Sequence, residues 1–184
     1  MTKQTKTLHE ESISANRIRM LAVSGLFAAI IFVLTAYLHI PTGAGYTHAG
    51  DGVIYLAACL LPTPYAVCAS VIGGALADGL TGFVTWMPAT IVIKAVTALF
   101  FTNKSEKIIT VRNVLGIIPS LVVCVCCYSL YEGIVMTDNL SWATIIAAFG
   151  QTPAYCIQVL ASSILFIICG LAFDKIKIKR RLDF

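Results

Sequence analysis

Residues 18–38 read IRMLAVSGLFAAIIFVLTAYL, an apolar run broken by one charge, Arg19. As a helix rising 1.5 Å per residue it covers ~30 Å, the thickness of a bilayer's hydrocarbon core. The rest of the chain has the same character. Of its 184 residues, 58% are hydrophobic and 12% charged, where soluble domains carry about 25% charge. A soluble domain of this size has no interior large enough to hide so much apolar surface. Lipid is therefore the solvent for most of the chain, which excludes a soluble enzyme, a nucleic-acid-binding domain and a disordered polymer. At ~20 residues per pass, six or seven spans use up the length.

Ahead of the 18–38 run, residues 1–16 are polar and predict a mobile or interfacial segment. The run is too long for a signal peptide and has no small-residue cleavage site before Pro41. Behind it, His39 to Gly50 is a Gly-, Thr- and Pro-containing loop that still holds Tyr46 and His48. Asp51 to Leu61 is apolar but short, and Pro62-Thr63-Pro64 ends it. Tyr65 to Leu80 is apolar up to Thr81-Gly82; Trp86-Met87-Pro88 then opens Ala89 to Thr102. After a basic loop at 103–113 come a full-length span at Val114 to Met136, an interfacial helix at Trp142 to Phe149, and a last span at Pro153 to Phe173.

Counting 51–61 as a short or tilted span gives an all-α membrane protein, a bundle of six transmembrane helices. The thirteen basic residues test that count, because Lys and Arg favour the cytoplasmic flanks of spans. Lys3, Lys6, Arg17 and Arg19 precede the first span; Lys104, Lys107 and Arg112 occupy the middle loop; Lys175, Lys177, Lys179, Arg180 and Arg181 follow the last. Six spans put all three clusters inside, with both termini cytoplasmic. The loops at 39–50, 81–88 and 137–152, which carry no Lys or Arg, then face outside. A re-entrant 51–61 would put one cluster on the wrong side. The domain organisation is a polar segment at 1–16, a helical domain at 17–178 and a basic tail at 179–184.

Several chemistries find no support. The cysteines at 59, 68, 124, 126, 127, 156 and 169 all lie in apolar segments without paired CxxC spacing, so neither a disulfide framework nor a metal site is expected. No GxxxxGK[ST] loop is present, so ATP hydrolysis would have to come from a partner. No cofactor is expected.

Ionisable groups within spans are costly and mark function by default. Here they are Asp51, Asp78, Lys94 and Glu132, with His48 just outside. Lys94 lies six residues past Pro88, ~9 Å inward, and the three carboxylates sit at outer span ends, so all four belong to the outer half. A cavity open to the outside accounts for them. Asp78 and Lys94 either neutralise each other between the third and fourth spans or line the cavity. Asp51 either caps its helix or joins the site. Tyr128 sits one turn before Glu132, and Gln151, Tyr155 and Gln158 share a face of the last span. Trp86, Tyr46 and His48 complete the candidate binding residues. In the first span, Ser24, Gly25, Ala28 and Ala29 form small-xxx-small pairs that let another helix approach, within this chain or from a partner.

The strings GYTHAGDGVIYLAA (45–58), GGALAD (73–78) and WMPATIVIK (86–94) together resemble the substrate-binding S components of energy-coupling factor (ECF) transporters, in the riboflavin-transporter-like group. The likeness runs over about residues 18–178. It implies six helices in a bacterial plasma membrane, and a ligand site in the outer half closed by the first loop. It also implies a first helix whose small residues meet a transmembrane coupling subunit (the T component), driven by two ATPases. The literal Ala-x-x-x-Ala pattern of that helix is missing, and Gly25/Ala29 and Ser24/Ala28 are its nearest equivalents. Within the group the sequence is most similar to S components associated with salvage of queuosine or its base queuine. Such a 7-deazaguanine offers N–H donors and an amine to Glu132, Asp51 or Asp78, with Tyr128, Tyr155 or Trp86 to stack on the ring. A pyridoxine-like or hydroxymethylpyrimidine ligand suits the same groups, and riboflavin asks for a larger slot. Outside this class stand an intramembrane enzyme, using Asp78 with Asp51 or His48 with Glu132 as an acid–base pair, and a stand-alone carrier.

Overall fold

A computed structural model of the chain describes residues 3–42 and 45–182, with side chains from Ser14 onward. Residues 1–2 of the expected polar segment and 183–184 of the expected basic tail lie outside the described residues. The order is helix α1 (Lys3–Ala36), strands β1 (His39–Thr42) and β2 (Gly45–His48), then α2 (Asp51–Leu60), α3 (Thr63–Thr81) and α4 (Met87–Leu99). There follow α5 (Val111–Leu115), α6 (Ile117–Val135), α7 (Trp142–Ala148), α8 (Thr152–Lys175) and α9 (Ile178–Arg181). Single 3₁₀ turns at Val84–Trp86 and Phe149–Gln151 lead into α4 and α8.

Proline stands at the start of three of the helices. Pro64, Pro88 and Pro153 stand in the first turns of α3, α4 and α8, where a missing N–H costs nothing and the fixed φ suits the helix. Gly82 ends α3 at φ 89°, a left-handed cap in which its N–H reaches the Asp78 carbonyl. Ser141 and Thr144 form a reciprocal capping box at the start of α7.

The polar N-terminal segment is helical from Lys3 and runs into the first apolar stretch without a break. The 39–50 loop is a two-stranded antiparallel ribbon, with His39 paired to His48 and Thr42 to Gly45. Alternating β-branched and aromatic residues are too few there to read as strands from sequence, and cross-strand pairing supplies the order.

Three helical stretches are long and apolar enough to cross a membrane by length and composition: Ser14–Ala36, Val111–Val135 and Trp142–Lys175. Asp51–Leu60 and Val84–Leu99 are shorter apolar helices. The packing puts α2 in the middle, touching α1, α3, α4 and α8, with every one of its ten residues buried. Gly52 makes this possible: a Cβ there would collide with the Ser162 carbonyl oxygen of α8. α1 lies along α3 by the same device, since a Cβ on Gly73 would stand 2.7 Å from the Ala28 carbonyl oxygen.

The apolar interior has two parts. One surrounds α2, where Tyr55 stacks on Phe101 and meets Phe166 edge-on. The other joins Trp86, Ile93, Tyr128, Tyr155 and Val159 at the end of the bundle where α3 finishes and α4 begins. The opposite end is closed by polar clamps. The Asp174 carboxylate accepts from the Ile108 and Ile109 N–H groups, Lys179 donates to the Asn103 and Ser105 carbonyls, and Asn113 bonds the backbone at Thr102 and Ile108.

Candidate functional site

A small cavity of about 30 Å³ opens beneath the β1–β2 ribbon. The ribbon forms its roof through Thr42, Gly45, Tyr46 and His48. Thr35 of α1 and Asp78 of α3 stand on one side, with Trp86, Thr90 and Lys94 along the start of α4. Tyr128 of α6, then Gln151, Tyr155 and Gln158 at the start of α8, complete the wall.

The aromatic part is ordered by ring contacts. Tyr128 and Tyr155 stack with centroids 5.6 Å apart, and Trp86 meets Tyr128 edge-on at 5.8 Å. Trp86 is buried, and so serves the cavity wall; Trp142, at the start of α7, is exposed. A planar ligand entering here finds ring faces and edges on several sides.

Below the aromatic wall lies a buried ion pair. Lys94, 1% exposed, donates to Asp51 Oδ1 at 2.5 Å, and Gln158 Nε2 donates to Asp51 Oδ2 at 2.8 Å. Of the two alternatives for Asp78 and Lys94, mutual pairing is not seen: the lysine turns to α2, whose buried N-terminus presents Asp51 directly to it, and both Lys94 and Asp78 line the cavity. Asp51 is thus committed on both oxygens and does not line the cavity. Both charges remain hydrogen-bonded, as buried charges must be.

Asp78 faces the cavity instead. Its Oδ1 accepts from the Tyr46 hydroxyl at 2.5 Å, which latches the ribbon to α3. Its Oδ2 has no hydrogen-bond partner among the described residues. Thr90 stands beside it, and the Thr90 and Tyr128 hydroxyls are hydrogen-bonded at 3.0 Å. Tyr46 also packs against Phe83 and His39, with centroids 4.6 and 4.7 Å away. Burial, together with the neighbouring Asp78 carboxylate, raises the Tyr46 phenol well above its ordinary value, so it stays a donor.

His48 is the second latch. Its Nδ1 accepts from the Gly50 N–H at 3.0 Å, which leaves the other ring nitrogen to carry the proton. Burial, and next the charge on Lys94, lower its pKa to about 3, so the closed ribbon holds a neutral imidazole. Thr47 donates to the Ala154 carbonyl of α8 at 3.1 Å, tying the far side of the ribbon down.

Of the eleven residues expected to bind, nine line this one cavity. Asp51 lies beneath it. Glu132 stands behind Gln151 and Tyr155, with which it interacts, and does not line the cavity. Thr35, Thr42, Gly45 and Thr90 line it unanticipated. Thr90 had a usable signal, one helical turn before Lys94 on the same face. The small residues of α1 divide: Ser24 and Ala28 are buried against α3, while Gly25 and Ala29 are exposed along an apolar groove between the two helices. Among the described residues no group of three His, Cys, Asp or Glu is placed to hold a metal.

The family described as ECF-type riboflavin transporter, S component, matches residues 15–175, nearly the whole chain. The chain belongs to that family. It is therefore a membrane-embedded transport subunit that captures a vitamin-like substrate for an ECF importer, and family members work with a T component and ATPase subunits. Neither a curated protein nor a solved structure matches the chain.

Proposed function

We propose that this S component captures queuosine or queuine, a 7-deazaguanine, from outside a bacterial plasma membrane. The observation that carries the reading is a single cavity-facing carboxylate, Asp78, among Trp86, Tyr128 and Tyr155. A guanine-type base matches that combination, with a flat ring for the aromatic wall and N–H donors for the acid. Residues 39–42 and 45–48 of the ribbon cover the ligand, with Tyr46 and His48 facing it and Thr47 tying the ribbon to α8. Lys94 and Asp51 fix the floor, Gln151 and Gln158 supply amide contacts, and Glu132 acts through Gln151.

The chain crosses the membrane six times with both termini cytoplasmic, α2 and α4 serving as short passes. The distribution of basic residues supports this, as does the clustering of 103–113 with the C-terminal segment at one end of the bundle. Gly25 and Ala29, open on the α1–α3 groove, receive the T component. Release needs no catalytic residue, only a second state of lower ligand affinity reached when partner ATPases act.

Riboflavin is the second reading, favoured by the family description. Mass spectrometry of small molecules retained by the protein purified from cells separates the two. A 7-deazaguanine is the expected result; a flavin would replace the reading, and a pyridoxine or pyrimidine would do the same. Uptake in cells lacking the T component and ATPases would show a stand-alone carrier instead.

A further inference from the structure

Three carboxylates lie in or beside the cavity, and of these Asp78 lines it. Asp51 has Lys94 on one oxygen and Gln158 on the other. Glu132 also has a buried oxygen, Oε2, without a partner among the described residues, but it stands outside the cavity lining, beside Gln151. Asp78 is 3% exposed and faces the cavity, with Oδ2 unpartnered among the described residues and Oδ1 held by a residue of the ribbon that roofs it, Tyr46. A buried acceptor without a donor is costly, and one whose donor comes from a lid can exchange that donor.

We infer that Asp78 is the receptor for a paired N–H edge, as in an amidinium, a 2-aminopyrimidinone or a guanine-type base. The Tyr46 hydroxyl is the internal stand-in that keeps one oxygen satisfied until such a ligand arrives. The inference rests on the reading of this cavity as the substrate site. Two adjacent N–H groups fit the two carboxylate oxygens in parallel, the strong bidentate geometry. To accept both, Asp78 must release Tyr46, so arrival of the ligand and release of the latch are one event. The ring carrying the edge then lies among Trp86, Tyr128 and Tyr155. A ring presenting one N–H between two carbonyls, as a flavin does, sets an oxygen against the carboxylate and leaves a buried acceptor unpaired. Sites built on such polar pairing reject the wrong edge strongly.

Benzamidine, benzamide and benzoate test this without assuming the natural ligand, since they share a ring and differ in the edge. The chain has two tryptophans, so a Trp142→Phe background leaves Trp86 in the cavity wall as the sole indole reporter. Titration of the purified protein in nanodiscs should show benzamidine binding at least about tenfold more tightly than benzoate or benzamide. Asp78→Asn should erase that preference. Tyr46→Phe, which removes the competitor and keeps the ring contacts, should tighten benzamidine binding several-fold, and it carries the test should Asp78→Asn misfold. Equal or better binding of benzoate, weaker benzamidine binding by Tyr46→Phe, or no response to benzamidine up to its solubility limit would each overturn the inference. A benzamidine preference in a protein that retains no 7-deazaguanine would keep the inference and sink the queuosine reading.

Discussion

Replacing Lys94 by methionine removes the ammonium and keeps most of the side-chain volume. What remains is the Asp51 carboxylate, 3% exposed, with the Gln158 amide as its one remaining hydrogen-bond donor. Breaking a buried pair by removing one member costs ~3–5 kcal/mol, most of it the penalty of the charge left behind. The lysine also lies 5.7 Å from the Tyr128 ring centroid, a contact contributing ~1 kcal/mol. Asp51→Asn alone leaves the lysine stranded at a similar cost. The double variant strands neither, because asparagine still offers Gln158 an oxygen and methionine needs no partner; its loss should be ~1–2 kcal/mol. The two single losses therefore should exceed the double loss by several kcal/mol, well above the ~0.5 kcal/mol scatter of independent sites. Reversible unfolding of the four proteins in mixed micelles of rising dodecyl sulfate content, followed by tryptophan fluorescence, measures the cycle. A Lys94→Met protein within ~1 kcal/mol of the parent, or a double loss equal to the sum of the singles, would refute the pair as the floor of the site.

Ligand affinity should depend on pH through His48. In the open ribbon the imidazole titrates near ~6.5, and in the closed one near about 3. Above ~6.5 both states are neutral; below it the open state takes up a proton that the closed state refuses, so closure weakens as pH falls toward 3. Isothermal titration should show affinity for the retained ligand falling ~30-fold on going to about pH 5, and His48→Asn, which keeps an acceptor for the Gly50 N–H, should flatten the profile. Gly52→Ala drives a methyl group into the α8 backbone and should cost ~2–3 kcal/mol in the same micelle assay; a neutral effect would mean α2 and α8 are not in direct backbone contact. Leucine at Gly25 and Ala29 together should leave ligand binding intact while co-purification with the T component and ATPases is lost; retained co-purification would move the partner surface elsewhere.

The sequence was most legible where physics allows few solutions. A charge in an apolar span has to go somewhere polar, and Asp78 and Lys94 line one cavity together with Tyr128 and Gln158. Pro88 and Pro153 announced helix starts, because few other places in a span tolerate them. Pair identity was not legible, because spacing along the chain says nothing of the rotation of α2, which turns Asp51 rather than Asp78 toward Lys94. The ribbon was missed because its order comes from hydrogen bonds between residues nine apart at most and from Thr47 reaching α8, neither of which leaves a periodic pattern. Glu132 was placed in the wall by depth alone. Its depth is compatible with the site, but its direction along α6 sets it behind Gln151.

The burial of α2 on every side bears on how the protein is made. Ten residues rise ~15 Å, half a hydrocarbon core, and begin with an aspartate whose counter-charge lies 43 residues downstream. Such a segment has little to gain from lipid by itself, and it cannot settle when it leaves the insertion machinery. Its neutralising lysine arrives with α4, and its closest backbone neighbour, α8, is the last long helix synthesised. Assembly thus has to hold α2 in waiting, with Asp51 near the surface, until the C-terminal third is inserted. Premature stops before α8 should give chains recognised by membrane quality control despite correct insertion of α1, and Lys94 variants should show the same fate during biogenesis before any defect in uptake can be scored.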